Sequence, residues 1–153
     1  MNIKNIFKEP AGIYFLNTKN NIMKSILEIK KESIKKGNLR IFALGFNESI
    51  KSRILETNKK EYENFIIISG NEKKQLKENY KYATKIDSDV ILINLNNPNT
   101  EDKKILIHLF ECGHKVVVFS DYSSESKLNK NLFLDFYKEL DEDIEFNLIY
   151  DVN

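Results

Sequence analysis

Lys24 and Ser25 form the first pair with chemical potential in this 153-residue chain. A phosphate loop puts a lysine on phosphate oxygens and a hydroxyl on their Mg²⁺ but needs glycines around them, and in so lysine-rich a chain the pair alone is weak evidence of one. A second version lies at Gly45–Ser52, "GFNESIKS". It follows the strand-like "LRIFAL" but is one residue short, with Ile50 where the last glycine of such a loop belongs, so an ordinary turn into a helix is the simpler reading. His108, Cys112 and His114 carry good zinc ligands. His108 and Cys112 share a helix face, but His114 stands beyond Gly113 and no fourth ligand is evident, which favours a packed Cys112. Asp87, Asp89 and Asp121 are acidic groups beside strand-like runs. A phosphoacceptor cluster needs them at the carboxyl ends of strands, and only Asp121 follows one. No metal and no catalytic set is expected.

The elements that must position these groups are legible. Apolar runs at Gly12–Leu16, Leu39–Leu44, Phe65–Ser69, Val90–Leu95, Lys115–Ser120 and Glu145–Tyr150 read as strands buried on both faces, as in a parallel sheet. Helices are expected between them, at Asn21–Lys36, Ser49–Lys60, Glu72–Lys85, Thr100–Cys112 and Glu125–Leu140. In the first, Ile22, Ile26, Ile29 and Ile34 mark an apolar stripe. Gly37 and Gly113 end helices, and Thr100 opens one. The reading is one α/β domain over residues 1–153: three layers, a mainly parallel sheet with helices on both faces. Its default ligand crevice lies at the carboxyl ends of the strands, at Asn17, Thr18, Gly45, Gly70, Asn94, Asn96, Asp121 and Tyr122.

Composition narrows the function classes. A hydrophobic content of 41% is globular, one cysteine fits a reducing cytosol, and no apolar run has the length of a membrane span. A cytoplasmic protein is expected. Net charge is +1, and Tyr80, Lys81, Tyr82 and Lys85 do not share one helix face, so nucleic acid is not an expected partner. The charge is unevenly placed. Residues 1–60 hold 13 basic and 5 acidic side chains, a net +8; the other 93 hold 11 and 18, a net −7. A solvated surface is the simpler reading of that polarity; head-to-tail association, with a homo-oligomer as a partner state, is the alternative.

The stretch "DSDVILINLNNPNTEDKKILIHLFECGHKVVVFSDYS", Asp87–Ser123, resembles the Walker B to His-box region of the type II secretion and type IV pilus motor ATPases (PilT/GspE-like). Strand, helix, Gly-His and next strand fall at matching spacing. Upstream, "IFKEPAGIYFLNTKNNIMKSIL" is similar to the family's entry strand and P-loop. The resemblance covers roughly residues 6–125 and implies a RecA-like P-loop NTPase architecture. In that architecture strands are interposed between the P-loop strand and its sequence neighbour; a flavodoxin-like sheet would instead run 2-1-3-4-5.

The chemistry of the boxes departs from the family. Thr18, Asn21 and Met23 fall on the three P-loop glycines, while Lys24 and Ser25 fall on the Lys-Thr pair. Side chains at those glycine positions hinder the positive-φ turns and the close approach of phosphate. Gly45 and Phe46 stand where the family has the two carboxylates of its acidic box, Leu95 where it has the catalytic glutamate, Asn97 and Pro98 where it has the next arginine and aspartate, and Asp121 where it has the second histidine. Losing one electrostatic group commonly costs about 10²–10³ in rate, so hydrolysis is not expected and no cofactor is assigned. The resemblance implies a non-catalytic binding or regulatory module whose partners are proteins, such as a motor ATPase or its membrane platform. Two alternatives stand beside it: a divergent nucleotide-binding protein or NTPase using Lys24 and Ser25, and a doubly wound interaction domain unrelated to secretion.

Overall fold

The structure is a computed structural model. It describes residues 3–16, 22–37, 39–46, 52, 65–68, 84–95, 100–120, 135, 138–139 and 149–152. Six strands form one sheet: β1 Gly12–Leu16, β2 Ile41–Leu44, β3 Phe65–Ile68, β4 Val90–Leu95, β5 Lys115–Ser120 and β6 Ile149–Val152. Their order is β3-β2-β4-β5-β1-β6, and all five strand pairs are parallel. Two helices are described in full, α1 Ile22–Lys35 and α2 Thr100–Glu111, with a 3-10 helix η1 at Ile3–Lys8.

Alternation of side chains along the strands builds two cores. Ile13, Phe15, Ile91, Ile93, Leu95, Val116 and Val118 face one way and pack with Ile105, Leu106 and Leu109 of α2. Tyr14, Leu16, Leu92, Val117 and Phe119 face the other way and pack with Ile26 and Ile29 of α1 and with Ile3 and Ile6 of η1. Helices thus cover both faces, the three-layer α/β arrangement expected from unbroken apolar runs. Strand β5 lies between β1 and β4, and β4 and β5 together separate β1 from β2. This is the interposed order of a RecA-like sheet and not the flavodoxin order.

Several boundaries differ from the sequence expectation. The last strand is Ile149–Val152 rather than Glu145–Tyr150. It is an edge strand paired only to β1, where register is set by pairing more than by burial. The third strand stops at Ile68, and the second starts at Ile41. Asp89 supplies the edge before β2: its carboxylate accepts from Arg40 N (2.7 Å), its own N–H donates to Arg40 O (2.9 Å), and Arg40 also pairs with Asp87. No element was expected before Gly12, yet η1 stands there. Its signal is Ile3, Ile6 and Phe7 at helical spacing.

Helix α1 is less apolar on its inner side than the isoleucine stripe implied. Ser25, Lys30 and Ser33 are buried beside Ile26 and Ile29, while Ile34 is only partly buried. Positions 26, 29, 30 and 33 share a face at 3.6 residues per turn, and Ile34 falls beside it. Ser33 Oγ donates to Lys30 O at 2.7 Å. Gly37 at φ +93° follows the end of α1. After α2, Gly113 (φ +83°) donates to Phe110 O at 2.9 Å, and His114 N donates to Leu109 O at 3.1 Å. That pair of bonds is the Schellman motif. The expected helices at Ser49–Lys60, Glu72–Lys85 and Glu125–Leu140 lie almost wholly outside the described residues.

Lys115 opens β5 at the amino edge. Burial lowers its pKa from 10.5, opposed by attraction to Glu9 and Asp89 and assisted by repulsion from Lys36. A depressed lysine pKa penalises the charged native form. The penalty is fully present below the folded-state pKa and is relieved as pH rises from there toward the unfolded value. Lys115→Met is therefore expected to melt at or above the parent near pH ~7. That advantage should shrink as scans approach pH 10.5. Lower melting of the variant at neutral pH would contradict the sign.

Candidate functional site

The carboxyl edge of β1, β4 and β5 is where RecA-like and other open α/β sheets bind ligands. Three residues form a layer across it: Leu16 of β1 is in register with Phe119 of β5, and Phe119 with Asn94 of β4. All three are buried on or beside the α1 face. Helix α1 begins at Ile22, with five residues between it and the end of β1, and its first turn carries Met23, Lys24 and Ser25.

The chain leaving β2 crosses this layer at very short range. Gly45 has φ +81°, and a Cβ placed there would lie 2.5 Å from Asn94 O. Only glycine fits both the left-handed backbone and the approach. Asn94 Nδ2 donates a long bond, 3.4 Å, back to Gly45 O. Asn94 is 4% exposed, and its Oδ1 has no hydrogen-bond partner among the described residues. Phe46 then turns inward. Its ring meets Phe119 edge-to-face, centroids 5.8 Å apart at 68°, a favoured aromatic geometry. Phe46 and Met23 both pack against the α1-face core.

Of the residues singled out from the sequence, Gly45 approaches Asn94 of β4, Phe46 meets Phe119 of β5, and Met23 packs against the α1-face core. Lys24 is exposed, whereas Ser25 is 7% exposed. Leu95 points to the opposite face, 3% exposed and packed within the α2-side core. Thr18, Asn21, Asn97 and Asp121 lie outside the described residues, as do Asn17, Gly70, Asn96 and Tyr122 and, within the "GFNESIKS" stretch, residues 47–51. Phe119 was not singled out from the sequence. Its signal is an aromatic near the end of the otherwise aliphatic "KVVVFS", where a side chain meets whatever crosses the edge.

The other candidates fall elsewhere. Asp87 and Asp89 are tied to Arg40 at the amino edge, away from the crevice. Cys112 packs against the α2-side core. No group of three or more His, Cys, Asp or Glu suited to a metal ion occurs among the described residues. Among those residues, too, no helix is long and apolar enough to cross a membrane.

The sequence matches no protein-family model and no curated protein. Among solved structures it is similar to a KaiC-like protein, PH0186, from the hyperthermophilic archaeon Pyrococcus horikoshii OT3, with TM-score 0.51 and 10% identity. The match covers 76% of this chain and 63% of that one, so the chain spans less than two thirds of its neighbour's length. At that identity the likeness speaks for the fold. Together with the strand order it defines a RecA-like α/β domain.

The crossing at Gly45 makes a comparative prediction. Gly45→Ala adds a close contact to a left-handed backbone and is expected to destabilise by at least ~1–3 kcal/mol. Gly37→Ala, also left-handed at φ +93° but with open space where a Cβ would stand, should cost only the backbone strain, about 1–2 kcal/mol. Chemical denaturation of the two variants checks the ranking; equal losses would contradict the close approach.

Proposed function

We propose that this chain is a non-catalytic RecA-like module that works by binding other proteins, with the sheet of a motor ATPase kept and the phosphate chemistry gone. The observation that carries the reading is Phe46 resting on Phe119, at the carboxyl edge where such a sheet would hold phosphate. Leu95, buried on the α2 side, supports it, because a leucine accepts no proton from water. The resemblance of Asp87–Ser123 to the secretion and pilus motors points to partners of that kind: a motor ATPase or its platform at a membrane's cytoplasmic face. The KaiC-like neighbour supports the scaffold and is neutral between RecA-like lineages.

The rival reading, a nucleotide held by Lys24 and Ser25, draws on the five-residue connection between β1 and α1 and on exposed Lys24 in the first turn. Burial of Ser25 at 7% exposure weighs against a hydroxyl free to ligate Mg²⁺. A thermal-shift titration with Mg-ATP separates the two. A ligand present at 100 times its Kd stabilises by about 2.7 kcal/mol. The expected outcome is no shift at millimolar nucleotide and no phosphate release. A saturable shift lost in Lys24→Ala would overturn the proposal in favour of the rival.

A further inference from the structure

Asn94 is the one polar residue in β4, a strand buried along its whole length. It is 4% exposed, yet its Oδ1 has no hydrogen-bond partner among the described residues, and its Nδ2 reaches Gly45 O only at 3.4 Å. Gly45 O can only accept, so the nitrogen must face it and the oxygen is the atom left over. The surroundings offer that oxygen nothing. Leu16 and Phe119 stand in the same layer of the sheet, and Leu92 shares the same face of β4. A buried acceptor without a partner costs the folded chain its lost hydration, and a leucine of similar size would remove that cost. In the closed arrangement Asn94 is a liability.

Little holds what lies over it. Gly45 is exposed, and Phe46 is only partly buried, with its ring against Phe119. Lifting these two residues exposes some aromatic area to water, but it also brings water to Asn94 Oδ1. Loss and gain are of the same order. Opening there is therefore far cheaper than unfolding the sheet beneath, where Val116 to Phe119 are at 0% exposure. We infer, on the protein-binding reading of this edge, that Gly45–Phe46 is a strap poised to open locally. The half-satisfied Asn94 amide sets its balance, and its opening regulates a protein partner's access to the Phe119 surface. A partner segment that brings an N–H donor to Oδ1 and an apolar side chain to Phe119 binds the open state in preference. That difference in affinity is what a population shift requires.

The test is relaxation dispersion on the unmodified full chain, without nucleotide or partner, which reads exchange on the μs–ms scale. The signals followed are the Asn94 side-chain amide and the Phe46 and Phe119 rings. The expected result is one exchange process shared by these three residues, with an open state populated at about 1–10%. Val117 and Ile91, deeper in the sheet, should show none, and the two rings should remain in contact in the major state. Asn94→Leu is expected to raise the melting temperature by about 2–4 °C and to cut the open population by a factor of about 5 or more. Asn94→Asp, which places a charge in the same buried position, should raise that population above the parent's. Flat dispersion at the three residues in the parent overturns the inference. So does a process shared with Val117, which would be opening of the whole sheet. An Asn94→Leu variant that melts below the parent, or an open population that neither substitution changes, overturns it too. Should Asn94→Leu fail to fold, the parent profile and Asn94→Asp decide. Flat dispersion removes the strap and leaves the protein-binding reading standing; a saturable response to Mg-ATP removes that reading instead.

Discussion

Everything in this molecule is arranged around β5. Val116, Val117, Val118 and Phe119 are all at 0% exposure, with β1 bonded on one side and β4 on the other. A strand in that place must be apolar on both faces and must arrive late in the chain, after β4 and α2. Its insertion separates β1 from β4. It also presents Phe119 near its carboxyl end, in register with Leu16 and Asn94. The same strand that makes a RecA-like site possible therefore supplies the aromatic surface on which Phe46 rests.

Two short contacts decide what that crevice holds. The approach of Gly45 to Asn94 lets the chain leaving β2 pass directly over the end of β4, and the Phe46–Phe119 contact turns it inward. An acidic box at those two positions would place carboxylates beside α1's first turn; here there is backbone and a phenyl ring. Breaking the Phe46–Phe119 contact would expose aromatic area to water.

Much of the scaffold was legible from sequence because central parallel strands are buried on both sides. "VILINL" and "KVVVFS" can hardly be anything else, and Gly113 marked the end of α2 to within one residue, at Glu111 against the expected Cys112. Where one face or one edge is less constrained, the reading slipped: the β6 edge strand sits four residues later at its start than its apolar run suggested, and η1 was overlooked. The buried polar groups of α1, Lys30 and Ser33, defied the isoleucine stripe because helical phase, not hydrophobicity alone, selects the inner face. For the site, Gly45, Phe46 and Leu95 were read as departures from the boxes of a motor ATPase. The contact that Gly45 makes was illegible: it stands 49 residues from Asn94 in sequence, and no local pattern signals that one backbone will lie on the other.

The central claim is that the carboxyl-edge crevice is filled by the protein's own aromatic packing and does not take a nucleotide. It is tested most directly by nuclear magnetic resonance of the full chain titrated with Mg-ATP, following the Asn94 side-chain amide and the Phe46 and Phe119 rings. The account predicts that these signals stay in place at millimolar nucleotide, with the two rings in contact throughout. Saturable movement of the Asn94 and Phe119 signals, accompanied by loss of the Phe46–Phe119 contact, would contradict it.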